Sequence, residues 1–405
     1  MLGSGALLLA GFGALLGVSA ASGAAPHSAH GSYHELLGDT CVTPSDCWAV
    51  GFTGVGGGAK LGQALHYNGK KWSRVSVPEP QGKSSKEDFD SLNGVWCRSR
   101  SDCWAVGDYG RSYPHKVTVV SRSEALHWNG KKWKLVPTPN PGGTSAATDT
   151  NALSGITCTA AASCWATGDQ LDGSQTEVNE ALHWNGKAWT SVPTPNPSGT
   201  GSLEGNTAAS VTCIKSTDCW IAGYGNNSSG ASDNETLHWN GTSWSAVPVP
   251  QPGYGGLSGI SCPSAADCWA VGTETRPGGD INEAMHWNGS AWSQVATPNP
   301  SGTASGDNNL LFDLACASGS DCWAVGFYTI SSYAQLNQVL HWNGTKWSQS
   351  GVPQPTGRKN VSTNNLYGVT CAKASDCWAV GTTDIDPKPL RNELLRFNGK
   401  KWSKG

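Results

Sequence analysis

The chain has 405 residues, 14% of them charged, and a formal net charge of −3. That length suits two or three ordinary domains or one large repetitive one, and the charge supplies neither the basic field that draws nucleic acid nor an acidic tail. Glycine (52), proline (22) and tryptophan (20) are abundant and helix-favouring runs are missing, a composition of short strands and many turns.

The first segment, MLGSGALLLAGFGALLGVSAASGAAP, is an apolar run that passes into small residues. Residues 1–25 read as a signal peptide, with Val18-Ser19-Ala20 and Ser22-Gly23-Ala24 both acceptable for cleavage. No positive residue precedes the run, so the true start is expected upstream of Met1. The alternative is a single membrane anchor, for which roughly 18 apolar residues suffice. The small residues that dilute the run and the cysteines downstream favour export, and no later segment is apolar enough to span a bilayer. Residues 26–35 are expected to be a short linker and residues 36–403 the folded body.

From Leu36 onward one unit of about 55 residues is rewritten seven times. Its outline is L-x-G-(V/I)-x-C-x5-C-W-A-V-G, a variable stretch, E-A-L-H-W-N-G-x-x-W, then V-P-x-P and a loose Gly/Ser/Thr tract. All fourteen cysteines fall into it: Cys41/Cys47, Cys97/Cys103, Cys158/Cys164, Cys213/Cys219, Cys262/Cys268, Cys316/Cys322 and Cys371/Cys377. Metal sites favour C-x2-C pairs converging as four ligands. A uniform C-x5-C instead fits facing positions on two adjacent strands, and so one disulfide per copy. Each small ring contributes about 2 kcal/mol by loop entropy.

Within the third copy, LSGITC (153–158) and CWATG (164–168) are β-prone and bounded by turn residues. ALHWNG (181–186) enters an Asn-Gly turn, and AWTSVP (188–193) returns from it and is closed by proline. Each copy is therefore four antiparallel strands, and seven copies predict an all-β, seven-bladed β-propeller. A solenoid is the other architecture for so regular a repeat, but it wants polar caps, and the first and last copies resemble the middle ones. Closure in phase and closure by a blade shared between the termini both remain open. The tryptophan after each second cysteine (Trp48, Trp104, Trp165, Trp220, Trp269, Trp323, Trp378) is expected to fill the seam between neighbouring blades, contributing on the order of 3 kcal/mol each.

In such a blade the C-x5-C loop and the Asn-Gly turn share one end of the disc. The variable stretches, such as GDYGRSYPHKVTVVSRSE (107–124) and PTPNPSGTGSLEGN (193–206), share the other. Loops on a rigid scaffold are where binding usually resides, which points to the variable end.

Three polar series recur with the unit. The histidines His66, His127, His183, His238, His286 and His341, with Arg396 in the seventh copy, read as buried hydrogen-bonding groups reaching a neighbouring blade, not as a metal ring. Glu124, Glu180, Glu235, Glu283 and Glu393, with Gln63 and Gln338, stand three residues before them; that exchange suits hydrogen bonding, not the paired carboxylates of glycoside hydrolysis. Asp46, Asp102, Asp218, Asp267, Asp321 and Asp376, with Ser163 in the third copy, read as shaping the turn before the second cysteine.

The sequons at Asn234, Asn240, Asn288, Asn343 and Asn360 are mostly by-products of the Asn-Gly turn. No nucleophile elbow, phosphate loop or dinucleotide fingerprint stands out. The longest loop, in copy two, gathers Asp108, Tyr109, Arg111, Tyr113, His115 and Arg122, and is the one place where catalysis would be sought.

The C-x5-C-W-A-V-G and H-W-N-G-x-x-W phrases resemble those of secreted actinobacterial β-propellers over Leu36 to Trp402. The architecture is similar to that of propeller lectins. That resemblance implies sugar pockets between blades, built from an aromatic platform and a few polar groups. It also resembles the lectin-like propeller subunits of umbrella toxin particles, which implies docking to other particle subunits.

The sequence thus carries three expectations. The first is a secreted recognition module, binding extracellular glycans or cell-surface ligands multivalently, with Tyr109, Arg111, Tyr254, Tyr328 and Tyr333 as candidate contacts. The second is a scaffold docking one partner subunit; the third, and weakest, is an extracellular glycan-acting hydrolase. No cofactor, metal, nucleic acid or membrane partner is expected once the leader is removed.

Overall fold

The computed structural model describes residues 32–405 except 56–57, 83–86, 114–117, 145–148, 172–175, 305, 331–333, 358–361 and 386–388. The leader, His115, Tyr333 and the sequon at Asn360 lie outside the described residues. The described chain is all β: 28 strands in seven successive antiparallel groups of four, spanning residues 33–75, 88–135, 151–191, 205–246, 254–294, 307–349 and 362–404, here units 1 to 7. Unit 1 begins at Tyr33, so part of the expected linker already belongs to its first strand.

Unit 3 shows the plan. Its strands are Asn151–Ala160, Ser163–Leu171, Glu177–Trp184 and Trp189–Ser191, longer than the repeat phrase indicates except for the last. The first hairpin is closed by the cysteine loop, with the half-cystines as facing partners, Cys158 opposite Cys164. The second hairpin turns on Asn-Gly. In unit 1 the Asn68 side chain accepts the Lys70 and Lys71 amides at 3.1 Å, and Gly69 takes the positive φ of 86° that the turn needs.

Seven such bridges form, Cys41–Cys47, Cys97–Cys103, Cys158–Cys164, Cys213–Cys219, Cys262–Cys268, Cys316–Cys322 and Cys371–Cys377, and no cysteine is left free. The pairing is the expected one, but the two halves are not equivalent, as a bridge between two facing strand positions would suggest. The second half-cystine of every unit, Cys47, Cys103, Cys164, Cys219, Cys268, Cys322 and Cys377, is 0% exposed, while the first retains some contact with solvent. The reason is the place of the second strand, which lies between the first and third and faces the preceding unit. Cys103 sits in the seam core with Trp48 and Trp133, Cys164 with Trp104 and Trp189, and Cys47 with Trp378 and Tyr67. These sulfurs are part of the seam packing and are out of reach of any ligand.

The units pack side by side through the tryptophans. Trp48 of unit 1, fully buried, meets Trp128 and Trp133 of unit 2 at 4.9 and 5.1 Å, the second edge-on at 84°. The same trio recurs at Trp104, Trp165, Trp220 and Trp269, and Trp323 meets Phe397 and Trp402.

The last unit packs on the first in the same way. Trp378 meets Tyr67 and Trp72 of unit 1 at 4.9 and 5.1 Å, and the His34 amide donates to the Leu390 carbonyl at 3.0 Å. Unit 1 contains its own four consecutive strands and unit 7 its own, so the ends meet in phase with no strand exchanged. No sheet runs around the molecule; units 3 and 4, and units 5 and 6, share only short parallel bridges.

The first strands lie innermost, and they crowd one another. A Cβ on Gly38 would stand 2.8 Å from the Asn93 carbonyl oxygen of the next unit, and one on Gly94 2.8 Å from that of Ser154. That contact is what fixes glycine in L-x-G. The residue before it slips out of register in a β-bulge, as between Leu36 and Gly38 or Leu311 and Asp313. The bulges turn the x of each L-x-G toward the axis.

Candidate functional site

The three repeated polar series resolve into structure, with two corrections. Each histidine pairs within its own unit, not across the seam: Nε2 lies 2.9 Å from Asp46 at His66, 2.8 Å from Asp102 at His127, and 2.8–2.9 Å from Asp218, Asp267 and Asp321 at His238, His286 and His341. The aspartate before the second cysteine is therefore the histidine's partner and not simply a turn former. In unit 3 Ser163 stands in for it at 3.5 Å from His183. In unit 7 the guanidinium of Arg396 takes the histidine's place, bonding Asp376 at 2.6 and 3.1 Å. Each ring also lies over the unit's own tryptophan, 4.5 Å between centroids for His66 and Trp48.

The glutamates do reach across the seams, and they are buried. The amide of Asn234 donates to Glu283 at 2.8 Å, that of Asn337 to Glu393 at 2.6 Å, and that of Asn179 to Glu235. Ser123 Oγ donates to Glu180 at 3.1 Å, and the Gln63 amide to Asn392 at 3.1 Å, which carries the ladder across the joint between units 7 and 1.

Burial pushes Glu235 up to about 8, Glu393 to about 8 and Glu283 to about 7, each partly offset by its asparagine. Hydrogen-bond counting agrees. In the three Asn–Glu pairs the asparagine Oδ1 and the second glutamate oxygen are both buried acceptors without a donor, which a proton on the carboxyl supplies. At the joint between units 1 and 2 Gly62 replaces the asparagine, and Asp90 fills the space beside Glu124. Both carboxyls lie well above the usual range, through burial and then through neighbouring acids.

The bulge residues meet around an axial cavity of about 450 Å³, which runs from the middle of the inner strands toward the disulfide loops. Its wall is uneven. Units 3 to 5 present Ser154, Ala209 and Ser258, whereas units 6 and 7 present Phe312 and Tyr367, ring centroids 5.2 Å apart, and unit 2 adds Asn93 and Trp96. Ser154 Oγ and Ser258 Oγ are buried with no hydrogen-bond partner. Asn93 Nδ2 donates to the Leu153 carbonyl at 2.9 Å.

Two carboxyls break the repeat here. Asp39 stands where the other units carry Val, Ile or Leu, and Asp313 where they carry Gly or Ser. The Val369 amide donates to Asp313 at 3.0 Å, while neither Asp39 oxygen has a partner. Burial pushes Asp313 up to about 7, and burial together with the charge of Asp313 holds Asp39 well above the carboxylate range.

The residues that the sequence singled out as contacts are scattered over three units. Tyr109 is half-buried in unit 2; two residues further along the same strand, Arg111 pairs with Asp88 at 2.8 Å. Tyr254 is 58% exposed at the start of unit 5, and Tyr328 in unit 6 is buried at 5%, with no open face to stack on a sugar. From the copy-two loop, Asp108 is pushed to about 6 by burial, with Asn93 beside it at 3.4 Å, and Arg122 donates to the Thr144 carbonyl at 3.2 Å. Tyr113 closes a strand. Sequence reasoning missed the cavity residues. Their signal is the x of L-x-G, the letter that varies most inside an otherwise constant phrase.

No protein-family profile matches the chain. No curated protein matches it either. Among solved structures it is similar to the BP39L lectin from Burkholderia pseudomallei, at 12% identity over 91% of this chain and 98% of that one, with a TM-score of 0.51. It is also similar to YCF48 from Cyanidioschyzon merolae, at 14% identity over 90% and 96% of the two chains, TM-score 0.50. A third likeness is the fungal lectin of Aleuria aurantia, described as a six-bladed β-propeller with a novel mode of fucose recognition: 12% identity, 77% and 92% coverage, TM-score 0.45. At these identities likeness shows the fold alone. With four-stranded antiparallel units packed face to face around an axis, the chain has a β-propeller fold.

Proposed function

We propose that the protein is an exported, seven-bladed β-propeller that works as a lectin-like recognition module, with no catalytic role, and holds a carbohydrate in the axial cavity. Seven local disulfides fit an oxidising compartment, and among the described residues no helix is long and apolar enough to cross a membrane. The observation that carries the reading is the cavity wall. Trp96, Phe312 and Tyr367 bring aromatic side chains, and Ser154, Ser258, Asn93 and Asp313 bring polar ones, to the lining of a volume of about 450 Å³. A pyranose needs that combination, because its C–H faces stack on aromatics while its hydroxyls need fixed partners.

The test is a glycan array probed with the secreted protein and with Ser154→Trp, which fills the cavity from its small-residue side. A restricted set of hits that disappears in the variant supports the reading. An array without hits at high protein concentration, or hits unchanged in the variant, refutes it.

A docking role has one observation in its favour. The second and third strands of unit 2, Asp102–Tyr113 and Thr118–Trp128, outrun their counterparts and carry Tyr109 and Arg111. Pull-down from culture supernatant with the protein and with that hairpin shortened tests it: one partner captured only by the full-length hairpin favours docking.

A further inference from the structure

Beyond the axial site, we propose that the cleft between units 7 and 1 at the disulfide-loop end is a separate binding site for an acidic polysaccharide. The cleft measures about 820 Å³. Unit 1 contributes Lys70, Lys71 and Trp72 to its lining, and unit 7 contributes Lys373, Arg396 and Lys404.

The cleft exists because the repeat is broken at this joint. Elsewhere the histidine of one unit and the tryptophan or phenylalanine of the next close over the seam. Here Arg396 and Tyr67 take those places, with Arg396 Nη1 donating to the Tyr67 hydroxyl at 3.2 Å. The guanidinium lies 5.4 Å from the Trp378 ring centroid and 5.7 Å from that of Tyr67, so it is anchored on both rings and on Asp376. Trp72 is left partly exposed, whereas its counterparts in the other six units, Trp133 through Trp402, are 4–5% exposed.

The charges around it are unbalanced. Lys70, Lys71, Lys373 and Lys404 are exposed and form no ion pair with any described residue. Asp376, the one acidic side chain in the lining, is already held by Arg396. The turn carries a lysine pair in units 1, 2 and 7 (Lys70-Lys71, Lys131-Lys132, Lys400-Lys401) and none in units 4 and 5, and at the joint between units 7 and 1 the pair of unit 1 shares a cleft with Lys373 and Lys404, in a chain whose net charge is −3.

Four exposed ammonium-bearing side chains line one cleft, so an anion entering it meets positive charge from both units. The partly exposed indole of Trp72 lies among them and adds apolar surface for a sugar ring, so the fitting ligand is a glycan bearing carboxylate or sulfate groups. A nucleic acid would need a longer basic track, which a chain of formal net charge −3 does not readily supply.

The test measures binding of dextran sulfate and polygalacturonate at physiological salt, with neutral dextran and duplex DNA as comparisons. The expected result is binding to at least one acidic polysaccharide that weakens with salt and falls at least tenfold in Lys70→Glu/Lys71→Glu and in Lys373→Glu. Lys346→Glu, at the same turn of unit 6, should bind as the wild type does. All these side chains are exposed, so the variants keep the fold. Ser154→Trp should also retain binding, which separates this site from the axial one. Absence of binding to both polyanions, equal loss in Lys346→Glu, or equal affinity for DNA or neutral dextran would overturn the proposal.

Discussion

Glu235→Gln is the substitution that isolates the buried carboxyl ladder. The folded protein holds Glu235 near 8, against 4.5 for an unburied glutamate. Because the folded value is the higher one, the protonated carboxyl gives its full stability below about pH 4.5, and that stability drains away as pH climbs through 8. At about 1.4 kcal/mol per pKa unit, the loss from this one group approaches roughly 5 kcal/mol by pH 9. Glutamine cannot ionise, and its amide can donate to Asn179 Oδ1 where the acid proton would. Gln63 already does this toward Asn392 at 3.1 Å. The variant should therefore match the wild type at pH 5 and melt later at pH 9. Calorimetry at pH 5, 7 and 9 reads this directly. A wild-type melting temperature that holds or rises toward pH 9, or a Glu235→Gln curve that falls in parallel with it, would refute the burial argument.

Three further outcomes follow from the packing. Trp378→Ala removes the ring that joins the last unit to the first and should cost about 3–5 kcal/mol in chemical denaturation, with new exposure to proteolysis at both ends of the described chain. Cys97→Ser/Cys103→Ser should cost about 2 kcal/mol while leaving the other six bridges closed in a non-reducing peptide map. Gly94→Ala should destabilise more than an ordinary surface glycine, since its Cβ would meet the Ser154 carbonyl oxygen at 2.8 Å between two inner strands that have no room to part; thermal melting against Gly351→Ala, an exposed position where nothing lies within 4 Å, makes the comparison.

The parts of the fold that repeat were legible because repetition exposes them. Fourteen cysteines at one spacing required local bridges, and a tryptophan after every second cysteine required a place that recurs once per unit. Which half of each bridge would be sealed in the seam was not legible, since it depends on the order of strands within the sheet. Pairing across a hairpin escaped as well. His66 and Asp46 stand 20 residues apart and both series were visible, yet only the facing register of the second and third strands puts Trp48 beside His66, with Asp46 within reach. The seam glutamates were correctly read as hydrogen-bonding groups, but their protonation depends on burial that no spacing reveals. The axial cavity depended on a bulge. Without the slip between Leu311 and Asp313, Phe312 reads as an ordinary alternating residue and its exposure to the axis is invisible. The joint between units 7 and 1 announced itself through Arg396 and Tyr67, two departures whose meeting only the closed arrangement makes evident.

The most direct measurement is a crystal of the protein soaked with the best ligand from the glycan array. The account predicts sugar density on the axis, stacked against Trp96, Phe312 or Tyr367 and hydrogen-bonded to Ser154 or Ser258. Sugar bound instead on the variable loops around Tyr254, with the axis unoccupied, would contradict it.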